Sequence, residues 1–412
     1  MELLKQLFKG DKAIWVIFLF LCVVSIVEGF SAMGQLSYKT GNYWEPIISH
    51  ASYLLLGLAF ILIIHNIPYK FFSLAIILLP IAALLLILTI LIGHSVNDAN
   101  RWLNILGFSF QPSELAKLSL MVSVAFLLSR RRPTNEVKIF NWIIGTTAVI
   151  CTLIARDNFS TAALLFMLVV LMLIIGRLQL KKLFLLLIAL AATVMLCFFL
   201  IKALPPDIVK KVVPRGETWT KRVDKFRYSE KTILDDNYDV EANFQVSHAK
   251  IAVARGGIVG RFPGHSQERD FLPQPFSDFI YAIILEETGL IGGFFVMFLY
   301  FFLLFRVGLI AGKCKRSFAR YLLYGCGLIL VMQALANMAV AVNLIPVTGQ
   351  PLPLISRGGT SIIITCIYFG IILSVSRFEI GLGEEEEEGE EIMSEKVSDA
   401  ELLTQDDSML KS

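Results

Sequence analysis

Glu114 and Lys117 stand three residues apart near the start of an apolar run, 113–129, that is long enough to enter a membrane. On a helix that spacing puts both charges on one face. A charge near the bilayer centre costs roughly 2.5–3.5 kcal/mol on insertion scales, so intramembrane charges face a partner or a polar cavity. The pair closes a polar string that begins Asn97-Asp98-Ala99-Asn100-Arg101-Trp102 and ends Gln111-Pro112-Ser113-Glu114. Further along, Asp278 follows Phe271-Leu272-Pro273-Gln274-Pro275-Phe276-Ser277, where two prolines stiffen the approach to the next apolar run. A partly desolvated carboxylate there can take a proton from a hydroxyl. The same residue type also caps helices, so a purely structural role stays open.

The elements that position these residues are membrane helices. Apolar residues make up 56% of the chain, which leaves no room for ten buried helices in a soluble core. Runs of about 20 apolar residues span the hydrocarbon layer. Ten candidates occur, at 13–33, 46–65, 71–93, 113–129, 139–155, 160–176, 183–203, 278–305, 321–345 and 359–376. The expected fold is therefore all-α, a polytopic membrane protein with ten transmembrane helices.

Basic residues in the loops set the orientation. Lys5, Lys9, Lys12, Lys70, Arg130-Arg131-Arg132, Lys138, Arg177, Lys181, Lys182, Arg306, Lys313, Lys315, Arg316 and Arg320 fall on one side. The short loops opposite carry only Lys39, Arg101, Arg156 and Arg357. Both termini are thus expected in the cytoplasm, with the first helix retained rather than cleaved as a signal peptide. The six cysteines lie in spans or a cytoplasmic loop and imply no disulfide framework. Net charge near balance, with no aromatic interleaving of the basic loops, excludes nucleic acid as the expected partner.

Two segments break the helical rhythm. Residues 204–277 form a large loop, extracytoplasmic by the orientation above, too long for a connector and supplied with aromatic anchors. Within it, 243–253 reads as a short helix ended by Gly256-Gly257. From 378 onward the chain becomes an acidic tail, Glu384 to Glu388 followed by Glu390 and Glu391, which repels itself and reads as disordered in the cytoplasm. The expected division is a membrane domain, 1–377, and this tail, 378–412.

Placed by depth, the polar residues gather at the outer side. They are Glu28, His50, Glu114, Lys117, Arg156, Asp157, Asn158, Asp278, Glu286, Glu287, Asn337, Asn343, Ser356 and Arg357. Bland readings stand beside the functional ones. Glu114–Lys117 is also a sound structural pair, Glu286 and Glu287 also serve to hold helices together, and Trp102 is also an interfacial anchor. No His/Cys cluster has zinc spacing, and no serine sits in a nucleophile elbow.

At these residues the chain resembles the SEDS family of shape, elongation, division and sporulation proteins, and its division branch above its elongation branch. The matching segments are Asn100-Arg101-Trp102 through Gln111-Pro112-Ser113-Glu114-Leu115-Ala116-Lys117, then Gly256-Gly257-Ile258-Val259-Gly260. Leu272-Pro273 through Ser277-Asp278-Phe279-Ile280-Tyr281-Ala282 and Glu286-Glu287-Thr288-Gly289-Leu290 follow. The last runs from Leu344-Ile345-Pro346-Val347-Thr348-Gly349-Gln350-Pro351-Leu352-Pro353 to Ile355-Ser356-Arg357-Gly358-Gly359-Thr360-Ser361. In this order and at these spacings the set is far more specific than any one segment.

The resemblance implies a peptidoglycan glycosyltransferase that polymerises lipid II into glycan strands at the outer face of the bacterial cytoplasmic membrane, at the division septum. By it Asp278 matches the catalytic aspartate, and Arg101, Glu114 and Lys117 match polar residues of a central cavity. Positive charge is needed where the leaving diphosphate develops, and Arg101, Lys117, Arg215 and Arg357 are candidates, with Trp102 and Ser356 as further substrate contacts. A divalent cation, Mg or Mn, is a possible helper, although no dedicated cage is readable. Expected partners are lipid II, undecaprenyl diphosphate-linked glycan, a class B penicillin-binding protein and other division proteins.

Two departures stand out. The family often has Glu-Pro-Asp-Phe-Gly-Thr-Ala where this chain has Arg156-Asp157-Asn158-Phe159-Ser160-Thr161-Ala162, so either Asp157 or Asn158 takes the aspartate's place. Arg357 stands where an aromatic residue is common. A lipid II flippase is the second reading, because intramembrane charge suits a transporter too. Flipping needs access to both leaflets, and here the polar residues gather on one side. A scaffold that only recruits other division proteins is the third.

Overall fold

The computed structural model describes residues 8–34, 44–92, 94–96, 99–105, 108–179 and 244–379, with isolated positions elsewhere. Helices dominate. They are α1 (Lys12–Ala32), α2 (Glu45–Ile64), α3 (Leu78–Ile92, continuing a 3-10 turn Tyr69–Ile77), α4 (Pro112–Ser129) and α5 (Glu136–Ala155). After these come α6 (Phe159–Ile175), α7 (Phe244–Gly256), α8 (Ile280–Lys313), α9 (Ser317–Ala341) and α10 (Gly359–Glu379). Eight helices among the described residues are long and apolar enough to cross a membrane, and α6 is a shorter apolar helix. These occupy the places of nine expected runs. The run at 183–203 lies outside the described residues except for isolated positions, as do residues 204–221, including Arg215, and the acidic tail from 380 onward.

The helical membrane fold is as expected, with one addition. Within 94–110, a stretch without a strand pattern, the chain forms a small antiparallel sheet of β1 (His94–Val96), β2 (Ala99–Ile105) and β3 (Phe108–Phe110), in that order. His94 pairs with Trp102 and Leu103 with Phe110. Strands this short, built on Asn, Arg and Trp, show no clean period of two, which is why the pattern concealed them. β2 packs against α3 and α4.

Burial sorts the helices into an inner and an outer set. In α4, α9 and α10 the buried share is 72%, 67% and 78%, against 22%, 22% and 28% in α2, the Tyr69–Leu91 span and α5. The inner helices can carry polar side chains because protein surrounds them, whereas the outer ones present Leu, Ile and Phe to lipid. Helix ends follow local chemistry. Asp11 caps α1 through bonds from Ala13 N and Ile14 N, and its other oxygen pairs with Arg306 at 2.6 Å. Asn343, with φ 57, ends α9 in a Schellman turn in which Leu344 N reaches Ala339 O and Asn343 N reaches Val340 O.

α8 departs from the expected simple span. The helix starts at Ile280, two residues beyond Asp278, and it breaks at Gly289, where φ is 67 and ψ −168. The broken ladder is rewired to the loop after α7. Arg261 N and Phe262 N donate to Glu286 O and Glu287 O, while Leu290 N and Ile291 N donate to Gly257 O and Ile258 O. Buried backbone groups need partners, and the two segments supply them to each other. Glycines make the approach possible: a Cβ on Gly256 would lie 1.9 Å from Leu285 O, and one on Gly260 would lie 2.2 Å from Glu287 O.

Candidate functional site

The segment between α9 and α10, 342–358, contains three prolines and runs through the interior of the bundle; Leu352 to Ser356 are all buried. Proline donates no N–H, so this stretch cannot satisfy itself by a regular ladder. Side chains from other helices bind its carbonyls instead. Ser25 Oγ of α1 donates to Leu354 O at 2.8 Å, and Tyr300 OH of α8 donates to Pro353 O at 2.5 Å. From α9, Gln333 Nε2 donates to Pro351 O at 3.2 Å and Asn337 Nδ2 to Gln350 O at 2.8 Å. The Gln350 amide in turn donates to Thr161 Oγ1 of α6 at 2.5 Å. His50 Nε2 lies 2.8 Å from Ser25 Oγ; that hydroxyl's one hydrogen goes to the Leu354 carbonyl, so the imidazole is the donor in this contact.

The turn that carries Asp278 is fastened at successive residues, twice by this segment and once by α9. Arg357 N donates to Phe276 O at 2.8 Å, Ser356 Oγ donates to Ser277 O at 2.7 Å, and Asn337 Nδ2 donates to Asp278 O at 3.0 Å. Asp278 Oδ1 accepts from Ser277 Oγ at 3.1 Å. Its Oδ2 looks toward Gly349, where a Cβ would stand 3.4 Å away. The N-cap position of α8 is taken by Phe279, one residue after Asp278.

Glu114 and Lys117 form an ion pair of 2.7 Å on α4, 5% and 0% exposed. Lys117 Nζ also donates to Gln333 Oε1 at 3.3 Å. Since Gln333 holds Pro351 O, the buried pair is linked by side chains to the same segment that fastens Asp278. Arg357 is half-buried over the Phe276 ring, with 5.8 Å from Cζ to the centroid, and makes no ion pair among the described residues. Burial pulls its guanidinium below the ordinary value, while Tyr53 and Glu45 oppose the shift.

The remaining expected site residues separate. Trp102 is half-buried on β2; Arg101 beside it is placed there by its backbone, and Arg215 lies outside the described residues. Ser356 is 2% exposed and its hydroxyl is spent on Ser277 O and Leu352 N, inside the fold. Asn158, not Asp157, caps α6, its Oδ1 accepting from Thr161 N at 3.2 Å.

Glu286 and Glu287, each 0% exposed, grip the loop after α7 rather than each other. Glu286 accepts from Gln267 N, Glu268 N and Ser266 Oγ, and Glu287 from Gly264 N, Ser266 N and Ser31 Oγ. Among the described residues no three His, Cys, Asp or Glu side chains converge as metal ligands. A groove of about 630 Å³ lies between α3 and α5, with Trp142, Gly145 and Lys138 on its wall, and Asp278 is not among its lining residues. The residues that sequence reasoning passed over are Gln333, Gln350, Thr161, Tyr300 and Ser25. One signal was available: Gln333 and Asn337 are polar residues four apart in an otherwise apolar run, hence on one helix face.

Comparison with known proteins gives a consistent result. The family model FTSW_RODA_SPOVE, described as cell cycle protein, matches residues 11–380. A probable peptidoglycan glycosyltransferase FtsW from Marinobacter nauticus is 30% identical over 370 residues, covering 86% of this chain and 86% of its own. One of the same description from Saccharophagus degradans is 30% identical over 388 residues, covering 89% and 92%. Among solved structures, a chain of a peptidoglycan synthase complex that coordinates polymerization and crosslinking superposes with a TM-score of 0.72 at 24% identity, covering 90% of this chain and 98% of that one. The rod shape determining protein RodA of Thermus thermophilus gives 0.62 at 22%, covering 90% and 97%. At those identities the structures speak for the fold.

Proposed function

The chain belongs to the cell cycle protein family of FtsW, RodA and SpoVE, and on that premise we propose that it is a peptidoglycan glycosyltransferase that polymerises lipid II. Similarity to relatives named for that activity supports the reading, and so does the fold it shares with a chain of a peptidoglycan synthase complex. It is an integral membrane protein, oriented with both termini in the cytoplasm and the 204–277 loop outside, working at the division septum beside a class B penicillin-binding protein.

In this mechanism Asp278 is the general base. It takes the proton from the 4-hydroxyl of the acceptor GlcNAc as that oxygen attacks C1 of the donor MurNAc from the face opposite the leaving group. The C1–O bond to phosphate breaks, undecaprenyl diphosphate departs with the electron pair, and the configuration at C1 inverts. General-base assistance of this kind contributes about 10²–10⁴-fold. The developing negative charge on the diphosphate calls for a cation without a protein counter-ion. Arg357 makes no ion pair among the described residues, although the Glu45 carboxylate acts on it from a distance, and it stands one residue after Ser356 on the segment that binds the Asp278 turn. Arg101, Trp102 and Arg215 are further candidates for the substrate's polar groups. Glu114 and Lys117 stand one step back as a pair that sets charge and shape behind the site, and Ser356 serves the turn rather than the substrate. Among the described residues no three His, Cys, Asp or Glu side chains come together as ligands for a divalent cation.

The observation that carries this reading is the Asp278 turn itself: its main chain is held by two hydrogen bonds from an interior segment and a third from α9, beside an arginine with no ion-pair partner among the described residues. Polymerisation of purified lipid II by the reconstituted protein with its transpeptidase, wild type beside Asp278→Asn, tests it. Glycan strands from the wild type alone support the assignment. Equal strands from both remove Asp278 as base, and none from either, with lipid II still bound, moves the protein to the flippase class.

A further inference from the structure

Asp278 draws its position from main-chain contacts, and one side chain stands out in making them. Asn337 is completely buried on α9. Its Nδ2 donates to Asp278 O at 3.0 Å and to Gln350 O at 2.8 Å, so one amide nitrogen joins the Asp278 turn to the 342–358 segment. Its Oδ1 is buried with no hydrogen-bond partner. An amide flip cannot cure this, because the two groups facing the nitrogen are both carbonyls and only a donor suits them. Leaving a buried acceptor unsatisfied is unfavourable, so the position keeps a two-donor group at the expense of stability.

We infer that Asn337 is a positioning residue for the transfer reaction: it fixes the Asp278 main chain against Gln350, and through Gln350 against Thr161 of α6, so that the carboxylate is held where the acceptor hydroxyl arrives. The inference rests on the reading of Asp278 as base. Three observations carry it beyond that reading. The two carbonyls belong to the turn bearing the carboxylate and to the residue next to Gly349, the glycine that faces Oδ2. Both bonds come from one nitrogen, so the distance between turn and segment is set by a single rigid group. The neighbouring carbonyl, Ser277 O, is held separately by Ser356, so loss of Asn337 frees the Asp278 carbonyl without detaching the whole turn. A misplacement of about 1 Å at a reacting group is enough to cost on the order of 10²-fold in rate.

The test is Asn337→Leu, of similar size and with no donor, in the full-length protein reconstituted with its transpeptidase, read by kcat and KM for lipid II polymer and by melting temperature. The expected result is kcat per folded protein lowered at least tenfold, with KM within about twofold, beside a melting temperature reduced by the loss of the two buried bonds. Where Asn337→Leu does not accumulate as a monodisperse protein, Asn337→Ser, whose shorter side chain replaces the two-donor amide by a hydroxyl with one donor, is read by the same split. Wild-type kcat in a folded variant overturns the inference. So does a variant whose apparent kcat falls only in proportion to the folded protein lost, since that is the mark of a merely structural residue. Asp278→Asn in the same assay separates the two levels. If it polymerises normally the base assignment fails, whereas a dead Asp278→Asn beside a fully active Asn337→Leu sinks only the positioning role.

Discussion

Gln333 and Asn337 lie four residues apart on one face of α9 and reach two different charged groups: Gln333 accepts from Lys117 Nζ at 3.3 Å, and Asn337 donates to the main chain of Asp278 at 3.0 Å. Each also holds a carbonyl of the same interior segment, Pro351 O and Gln350 O. α9 is thus the ruler between the buried ion pair and the carboxylate, and changes at one are expected to be felt at the other.

Lys117 gives the first expectation. Its removal leaves the Glu114 carboxylate buried without its cation, which costs roughly 3–5 kcal/mol. Lys117→Ala is therefore expected to lower both melting temperature and polymerisation. The double variant Glu114→Gln with Lys117→Met removes both charges and should recover most of the melting temperature. Thermal unfolding in detergent checks this. A Lys117→Ala protein that is inactive at unchanged melting temperature would make Lys117 a direct substrate ligand instead.

The two adjacent glycines at the end of α7 separate close packing from backbone strain. A Cβ on Gly256 meets Leu285 O at 1.9 Å, where the helix and the broken span share hydrogen bonds, whereas a Cβ on Gly257 meets nothing within 4 Å. Gly256→Ala is expected to abolish accumulation of folded protein. Gly257→Ala, at φ +54, should lose only about 1–2 kcal/mol from its left-handed backbone. Yield of monodisperse protein after membrane extraction reads both, and equal yields would mean that the two segments separate readily.

Glu287 ties the loop after α7 to α1 as well as to its own helix, through Ser31 Oγ, Gly264 N and Ser266 N. Hydrogen bonds to a charged acceptor contribute about 1.5–3 kcal/mol. Glu287→Gln keeps the shape, weakens these bonds and puts an NH₂ against donors. Amide hydrogen exchange over 257–268 is expected to rise while α9 stays protected. Unchanged exchange in that loop would show that the rewired backbone bonds hold it alone.

The legible part of this molecule was what neighbours in sequence decide. Apolar runs located the helices, and the polar residues between and within them pointed to Asp278, Glu114 and Lys117. What sequence could not show depends on residues far apart in the chain. Ser25 and Leu354 are 329 positions apart, and nothing local to either announces that one hydroxyl satisfies the other's carbonyl. Ser356 illustrates the same limit: its place beside Arg357 suggested substrate contact, while its hydroxyl is committed to Ser277 O. The break at Gly289 was hidden because its flanks, Glu286-Glu287 and Leu290-Ile291, continue a helical pattern, and only the partner loop makes interruption affordable.

Gly349 offers the sharpest probe of the space in front of the carboxylate. Its φ is +67, so any L residue there incurs the left-handed penalty of roughly 1–2 kcal/mol. A methyl group would also stand 3.4 Å from Asp278 Oδ2, an ordinary contact that needs no rearrangement but occupies room an incoming hydroxyl would use. Gly257→Ala supplies the control, because it carries a similar backbone penalty with open space around the new methyl. Gly349→Ala and Gly257→Ala are therefore expected to melt at similar temperatures, while polymerisation falls at least tenfold in the first and little in the second. If the two lose activity equally, backbone strain accounts for the effect and the space beside Oδ2 is not where the acceptor enters. If only Gly349→Ala is impaired, a larger KM points to exclusion of the acceptor and a smaller kcat to a carboxylate pushed from its place.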